Sequence, residues 1–154
     1  MSNRKVSHGN FTIERSYNAT PARVFAALTQ PAHMKHWFHG PPEFGEEKIE
    51  VDFRVGGGQR SSGGPKGGPV HKFASLYYDI IENERIVYAY EMYLDDARIS
   101  VSLATIQLRP TGNGCQLVMT EQGAFLDGFE DAGAASREKG THGLLDQLGR
   151  YVES

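Results

Sequence analysis

The chain has 154 residues, a formal net charge of −3 and a hydrophobic fraction of 39%. This length fits one domain with a real core, and the composition is typical of a folded globule rather than of a disordered chain. A mildly acidic chain without a run of Lys or Arg argues against a broad nucleic-acid-binding face and against a surface for anionic membranes. We therefore expect no nucleic-acid partner and no membrane insertion.

Cysteine content and the first residues bear on the cellular compartment. The single cysteine, Cys115, cannot form an internal disulfide, so the chain is not a disulfide-stapled secreted domain. No run of eighteen apolar residues occurs, and the first ten residues lack the apolar core of a signal peptide. We expect a cytoplasmic protein. Because Cys115 follows a turn at a strand start, where neither a cation nor a helix N-terminus would lower its pKa, we interpret it as a semi-buried structural residue.

The N-terminal quarter changes from a strand pattern to a helix pattern. Residues 1–9 are predicted to form a flexible tail, and residues 10–17 alternate apolar and polar side chains, which predicts a strand. Thr20 is a suitable N-cap and Pro21 suits the first position of a helix. Pro31 should end this helix and begin a second short one.

Strand signals dominate from residue 46 to residue 123. Runs rich in β-branched and aromatic residues predict strands over 47–55, 71–81, 85–94, 98–110 and 115–123. The connections after 81, 94 and 110 are short, which favours an antiparallel meander. The last segment carries an apolar face at helical spacing, formed by Leu144, Leu145, Leu148, Tyr151 and Val152.

This order of elements predicts an α+β fold. A curved antiparallel sheet of about six to seven strands, with two short helices after the first strand, would wrap around the long C-terminal helix, which covers its apolar face. We expect residues 10–154 to form this single domain. A sheet wrapped around a helix can enclose a cavity suited to an apolar small molecule.

The glycine-rich segment 54–70 raises the question of phosphate binding. A P-loop requires Gly-Lys followed by Ser or Thr, which the chain lacks, and the glycine spacing does not match a dinucleotide-binding fingerprint. The segment also leads into a predicted strand rather than a helix, so no helix N-terminus would face a phosphate. We interpret it as a long hairpin connection, or alternatively as a mobile lid over the cavity mouth.

An ordered set of motifs resembles one branch of the SRPBCC superfamily, the START and Bet v 1-like helix-grip proteins. That branch is related to the C-terminal domain of the Hsp90 ATPase activator. The motifs are DFRVGG (52–57), ERIVY (84–88), TEQGAFLDGFED (120–131) and GLLDQLGRYVE (143–153), and the likeness covers residues 10–153. The resemblance implies a helix-grip fold that binds hydrophobic, lipid- or polyketide-like molecules, sometimes with cyclase or hydrolase activity.

The chain departs from this branch at two points. Many members carry Gly-Trp at the start of the last helix, where this chain has Gly140-Thr141, so we expect a larger or wetter cavity there. The Asn-rich motif with which the full-length activator stimulates Hsp90 is not found. The family resemblance alone therefore does not imply chaperone activation, although a chaperone stays one possible partner.

Side chains from most elements are candidates for the cavity wall. Alternation does not decide which strand faces point inward, because both faces carry aromatic residues. For any one of these residues a solid core is the alternative, and the outer face could instead form a homodimer surface. The predicted lining residues are Trp37, Phe44, Phe53, Tyr78, Tyr90, Met92, Leu103, Met119, Phe125, Thr141 and Leu145.

Glu121 is the principal candidate for acid–base chemistry. If its strand face points inward, burial raises the pKa of Glu121, and the carboxyl group could act as a general acid or base. Alternatively it points outward, or forms a structural ion pair with an arginine such as Arg54 or Arg98. His71 and Tyr78 are weaker candidates for polar groups in the cavity.

Metal and cofactor sites have little support in the sequence. His33, His36 and His39 have a spacing that could place two imidazoles on one helix face, but the HExxH order is absent and the helix is short. We expect polar, exposed histidines, no metal and no cofactor. Three function classes stay open: a binding protein for an apolar ligand, a protein-interaction module, and a cofactor-free enzyme using Glu121 or His71 with Tyr78.

Overall fold

The computed structural model describes residues 4–128 and 133–154, and within them seven strands form one antiparallel sheet. The strand order across this sheet is β1-β7-β6-β5-β4-β3-β2. Strands β2 to β7 follow one another as the predicted meander, and β1 lies at the edge of the sheet, paired with β7. In chain order the elements are β1 (Val6–Tyr17), α1 (Pro21–Thr29), α2 (Pro31–Met34), a 3₁₀ turn (Pro42–Phe44), β2 (Lys48–Val51), β3 (Gln59–Gly63), β4 (His71–Ile81), β5 (Arg85–Leu94), β6 (Ala97–Thr111), β7 (Gly114–Leu126) and α3 (Ala134–Val152).

The predicted fold class is confirmed, and two local predictions are wrong. β4 and β5 have the predicted bounds, but β1 begins at Val6, which pairs with Leu126. Residues 6–9 are therefore strand rather than flexible tail, because β7 supplies a partner for their backbone groups that the sequence does not show. Residues 1–3 lie outside the described residues.

The glycine-rich segment contains a strand rather than one long connection. β3 lies within it and pairs with β2 on one side and with β4 on the other. Gly58 is required before this strand, because a Cβ there would collide with the carbonyl oxygen of Ser75. Gly56 adopts a φ of 88°, which favours glycine. Glycine and serine have low strand propensity, so backbone hydrogen bonds to two neighbouring strands define β3.

The C-terminal half of α3 is fixed tightly to β1 and α1. The hydroxyl of Tyr17 donates to the carbonyl of Leu145 at 2.7 Å, and the Arg23 guanidinium donates to the carbonyl of Val152 at 2.7 Å. Gly149 lets the ring of Tyr17 approach the helix closely. Leu148 is fully buried in this contact. The helix is thus anchored at the end where its apolar face is densest.

The N-terminal half of α3 packs much less tightly. Among residues 134–144, Thr141 alone is buried, whereas Leu145, Leu148, Gly149 and Val152 are buried further along the helix. The sheet curves away beneath this half, and the space between them is the cavity described below. Within the described part of the chain, no helix is both long and apolar enough to cross a membrane.

Candidate functional site

A cavity of about 860 Å³ lies between the inner face of the sheet and the N-terminal half of α3. The segment from Met34 to Pro41 borders it on a third side. Aromatic side chains form much of its wall, namely Trp37, Phe38, Phe73, Tyr77, Tyr88 and Tyr90. Phe73 stacks on Tyr90 with ring centroids 4.9 Å apart, which gives the cavity a flat apolar floor.

The structure brings together about half of the predicted lining residues. Those that do line the cavity are Trp37, Tyr90, Met92, Met119, Thr141 and Leu145. Glu121 and His71 also face the cavity. The ring of His71 lies 5.1 Å from that of Phe44, which is itself outside the lining.

Tyr78 and Leu103 require correction, because both lie on the outer face of the sheet. They are 58% and 44% exposed respectively. Adjacent residues of a strand point to opposite faces, and here Tyr77 takes the inward position next to Tyr78. On β6 the inward residues include Ala104 and Ile106, which leaves Leu103 outside. Tyr78 therefore cannot act together with His71 in the cavity.

Phe44, Phe53 and Phe125 also lie outside the cavity lining. Phe53 packs edge-on against Phe25 and against Tyr77, so it belongs to the core beneath the cavity. Phe125 is buried under the guanidinium group of Arg137, which lies 5.3 Å from its ring centroid. These phenylalanines support the wall without forming it.

Glu121 belongs to a hydrogen-bond network at one end of the cavity. It is 4% exposed, and its Oε1 accepts a short hydrogen bond from the hydroxyl of Tyr90. That hydroxyl in turn accepts from Nη1 of Arg137 at 3.0 Å, while Nη2 of Arg137 donates to Oγ of Ser100 at 2.7 Å. We name Glu121, Tyr90, Arg137 and Ser100 the anchor network. It joins β5, β6, β7 and α3.

Burial governs the ionisation of the anchor network. Desolvation raises the pKa of Glu121, and the hydrogen bond from Tyr90 and the charge of Arg137 oppose that rise. Burial, followed by the charge of Glu121, raises the pKa of Tyr90 above its ordinary range. The phenol therefore keeps its proton and donates a hydrogen bond to the carboxyl group. A carboxyl with a raised pKa inside a cavity is a candidate general acid or base.

The partner of Glu121 differs from the arginines that the sequence suggested. Arg54 pairs with Asp52 at 2.9 Å and Arg98 with Glu91 at 3.4 Å. Arg137 instead reaches Glu121 through Tyr90, and sequence reasoning missed it. A signal was present, because Arg137 lies four residues before Thr141 and eight before Leu145, on the face of α3 that continues the apolar stripe.

The side of the cavity nearest β2 and β3, two strands from Tyr90, contains polar atoms without partners. Nε2 of Gln59 and Oε2 of Glu47 are buried and have no hydrogen-bond partner among the described residues. Both side chains line the cavity. Burial raises the pKa of Glu47, and the charge of His39 opposes that rise. We name Gln59 and Glu47 the open end of the cavity.

Two of the three histidines near α2 contact Tyr151, and the third contacts the neighbouring backbone. Nδ1 of His33 lies 2.6 Å from the hydroxyl of Tyr151, and the ring of His36 stacks on the ring of Tyr151. His39 contacts the carbonyl of Gly40. Across the described ranges, no group of three or more His, Cys, Asp or Glu side chains is placed to hold a metal ion.

A curved antiparallel sheet gripping a C-terminal helix over a lined cavity defines a helix-grip protein. The family model described as "Activator of Hsp90 ATPase homolog 1-like protein" matches residues 18–153. The chain belongs to this family, as its motifs predicted.

Solved structures agree with this assignment. A protein from Rhizobium leguminosarum is 40% identical over 97% of each chain, with a TM-score of 0.89. A protein from Rhizobium loti is 41% identical over 96% of this chain and 99% of its own, with a TM-score of 0.85. A protein from Chromobacterium violaceum is 28% identical over 94% of this chain and 97% of its own, with a TM-score of 0.79. No curated protein matches the sequence significantly.

Proposed function

We propose that this protein binds a predominantly apolar small molecule in the cavity, with a polar head group of the ligand against the anchor network. The observation that carries this proposal is a cavity of about 860 Å³ whose aromatic wall contains one buried, charged hydrogen-bond network. Ligand sites typically combine a volume of roughly 300–1,000 Å³, an apolar lining and a few polar groups that fix orientation.

The anchor network favours a head group that both donates and accepts hydrogen bonds. No carboxylate among the described residues forms an ion pair with Arg137, whose guanidinium faces hydroxyl oxygens of Tyr90 and Ser100. A ligand hydroxyl, phenol or enol could accept from Arg137 and donate to Glu121. A purely apolar ligand would form neither of these two hydrogen bonds, so we expect it to bind less tightly.

Binding of the neutral fluorescent probe N-phenyl-1-naphthylamine tests the proposal. We expect one probe molecule per chain, with enhanced fluorescence on burial. Thr141→Trp should weaken binding at least about tenfold, because an indole at this lining position fills cavity volume. Many members of the family carry tryptophan there, so the fold should accept it.

Leu103→Trp is the matched control, since it adds the same indole on the outer face of the sheet. It should leave probe affinity unchanged. Equal affinity of the wild type, Thr141→Trp and Leu103→Trp would show that the probe does not occupy the cavity and would contradict the proposal.

A second proposal, cofactor-free acid–base catalysis, is favoured by the position of Glu121. A carboxylate form of Glu121 could remove a proton from the carbon next to a ligand carbonyl, while Arg137 stabilises the enolate oxygen. Return of a solvent-derived proton to carbon would complete the exchange.

Deuterium uptake at the methyl group of 4-acetylbiphenyl measures this step. Wild type should accelerate it and Glu121→Gln should not; equal rates would contradict catalysis.

The homodimer and the chaperone partner stay predictions. Their support is the outer sheet face, where Leu76, Tyr78, Val101 and Leu103 are exposed. Light scattering of the purified protein, with and without an Hsp90-type ATPase, tests both. A monomer that forms no complex with the ATPase would contradict both of these predictions.

A further inference from the structure

Gln59 is a buried amide with an unused donor. The residue is 5% exposed, lines the cavity, and its Nε2 has no hydrogen-bond partner among the described residues. Its backbone N–H donates to Oγ of Ser75 at 2.9 Å, which fixes the main chain of β3 against β4. The backbone from which the amide extends into the cavity is therefore fixed.

Such a group is unusual in a native protein. Buried polar atoms are nearly always paired, and an unpaired amide is costly to retain. Oε2 of Glu47, which lies just before β2 and also lines the cavity, is likewise unpaired, but it lies against Gly63, four residues along β3 from Gln59. The unpaired amide of Gln59, buried and lining the cavity, points to a place where a bound molecule supplies the missing partner.

Strand geometry gives the distance between this end and the anchor network. Ser75, which contacts Gln59, pairs directly with Tyr90 across β4 and β5. Gln59 on β3 is thus two strands from Tyr90 on β5, or about 10 Å at the usual strand spacing. The ring of Phe73, stacked on Tyr90, contributes apolar floor beside this line.

We infer that Gln59 forms a second polar subsite, and that the ligand is an elongated, largely aromatic molecule with an acceptor oxygen about 10 Å from its head group. A ketone, ester or aldehyde oxygen accepts from Nε2 of Gln59. The inference rests on the proposed cavity-binding function and adds the polarity and length of its ligand.

Two biphenyl probes of matched shape test the subsite. 4-Acetyl-4′-hydroxybiphenyl carries an acceptor at the far end, and 4-isopropyl-4′-hydroxybiphenyl replaces it with an apolar group of similar size. Calorimetry gives the ratio of their dissociation constants for each variant. We expect the preference for the acetyl probe to be about five- to tenfold greater in wild type than in Gln59→Leu or Gln59→Met. Gln59→Met retains side-chain length if the leucine variant folds poorly.

Ser62→Ala is the matched control, because Ser62 is a polar residue of the same strand that does not line the cavity. It should keep the wild-type preference. The same preference in wild type and both Gln59 variants overturns the subsite but leaves cavity binding intact. Failure of wild type to bind either probe overturns the proposed function, and the subsite with it.

Discussion

The two ends of the cavity handle buried polarity in opposite ways. At the anchor network, Tyr90 donates to Glu121 and accepts from Arg137, so neighbouring elements satisfy one another. At the open end, Nε2 of Gln59 and Oε2 of Glu47 have no partner among the described residues. A satisfied network contributes to folding, whereas unpaired groups cost stability and are retained for another reason. The anchor network is therefore a structural element that also offers a head-group site, whereas the open end offers polar atoms to a ligand.

The elements that surround each end explain this difference. The anchor network joins three central strands to α3, whose far end is fixed by Tyr17 and Arg23. Of the open end, Gln59 lies on β3 and Glu47 just before β2, at the edge of the sheet, where β2 has only four residues.

Tyr90→Phe should give the largest effect. Removing the hydroxyl leaves Glu121 and Arg137 each without a buried hydrogen bond, so we expect the free energy of unfolding to fall by about 2 kcal/mol. Chemical denaturation measures it. Tyr93→Phe is the control, because its hydroxyl bonds to Glu91 in a less buried position and should cost under about 0.5 kcal/mol. Equal losses in the two variants would contradict the structural role of the anchor network.

The pH dependence of stability should show the raised pKa of Glu121. Below pH 4.5, its ordinary pKa, Glu121 is protonated in both the folded and the unfolded chain. As the pH rises above that value, the unfolded chain releases this proton first, so the contribution of Glu121 to stability decreases and levels off above the folded pKa. The decrease amounts to about 1.4 kcal/mol per unit of pKa difference.

Glu121→Gln isolates this contribution, because glutamine keeps an acceptor for Tyr90 and removes the titration. The free energy of unfolding of wild type minus that of Glu121→Gln should fall as pH increases above 4.5. A difference that stays constant or rises over this range would mean that burial does not dominate at Glu121.

Gln59→Met should have the smallest effect on stability, and of the opposite sign. Replacing an unpaired buried amide with an apolar side chain of similar length should leave the free energy of unfolding unchanged or raise it by up to about 1 kcal/mol. Thermal and urea denaturation measure it. A loss of stability as large as that of Tyr90→Phe would show that Gln59 is paired in solution and would remove the contrast between the two ends.

The sequence predicted the fold well because its strand and helix signals are local. The bounds of β4 and β5, the cap at Thr20 and the apolar face of α3 all follow from side-chain periodicity. β3 was missed, since glycine and serine give no periodic signal and its backbone is fixed by partners distant in sequence. The same applies to residues 6–9, which depend on β7.

The site was predicted less completely, because a cavity depends on which strand face turns inward. Tyr77 and Tyr78 are chemically alike, and their opposite orientations follow from the position of β4 in the sheet, where the register shifts just after Tyr77. Arg137 was missed because its role requires Tyr90 and Ser100 from two strands. Glu121 was identified because an acidic residue among alternating apolar ones is visible in the sequence itself.

Three methionines give the most direct test of cavity binding. Met34, Met92 and Met119 all line the cavity and come from different elements. In methyl NMR spectra of methionine-labelled protein, we expect N-phenyl-1-naphthylamine to shift all three signals with one saturating affinity, and Thr141→Trp to weaken that response. If the probe binds at one equivalent while these three signals stay unchanged, the ligand lies elsewhere and the central claim is wrong.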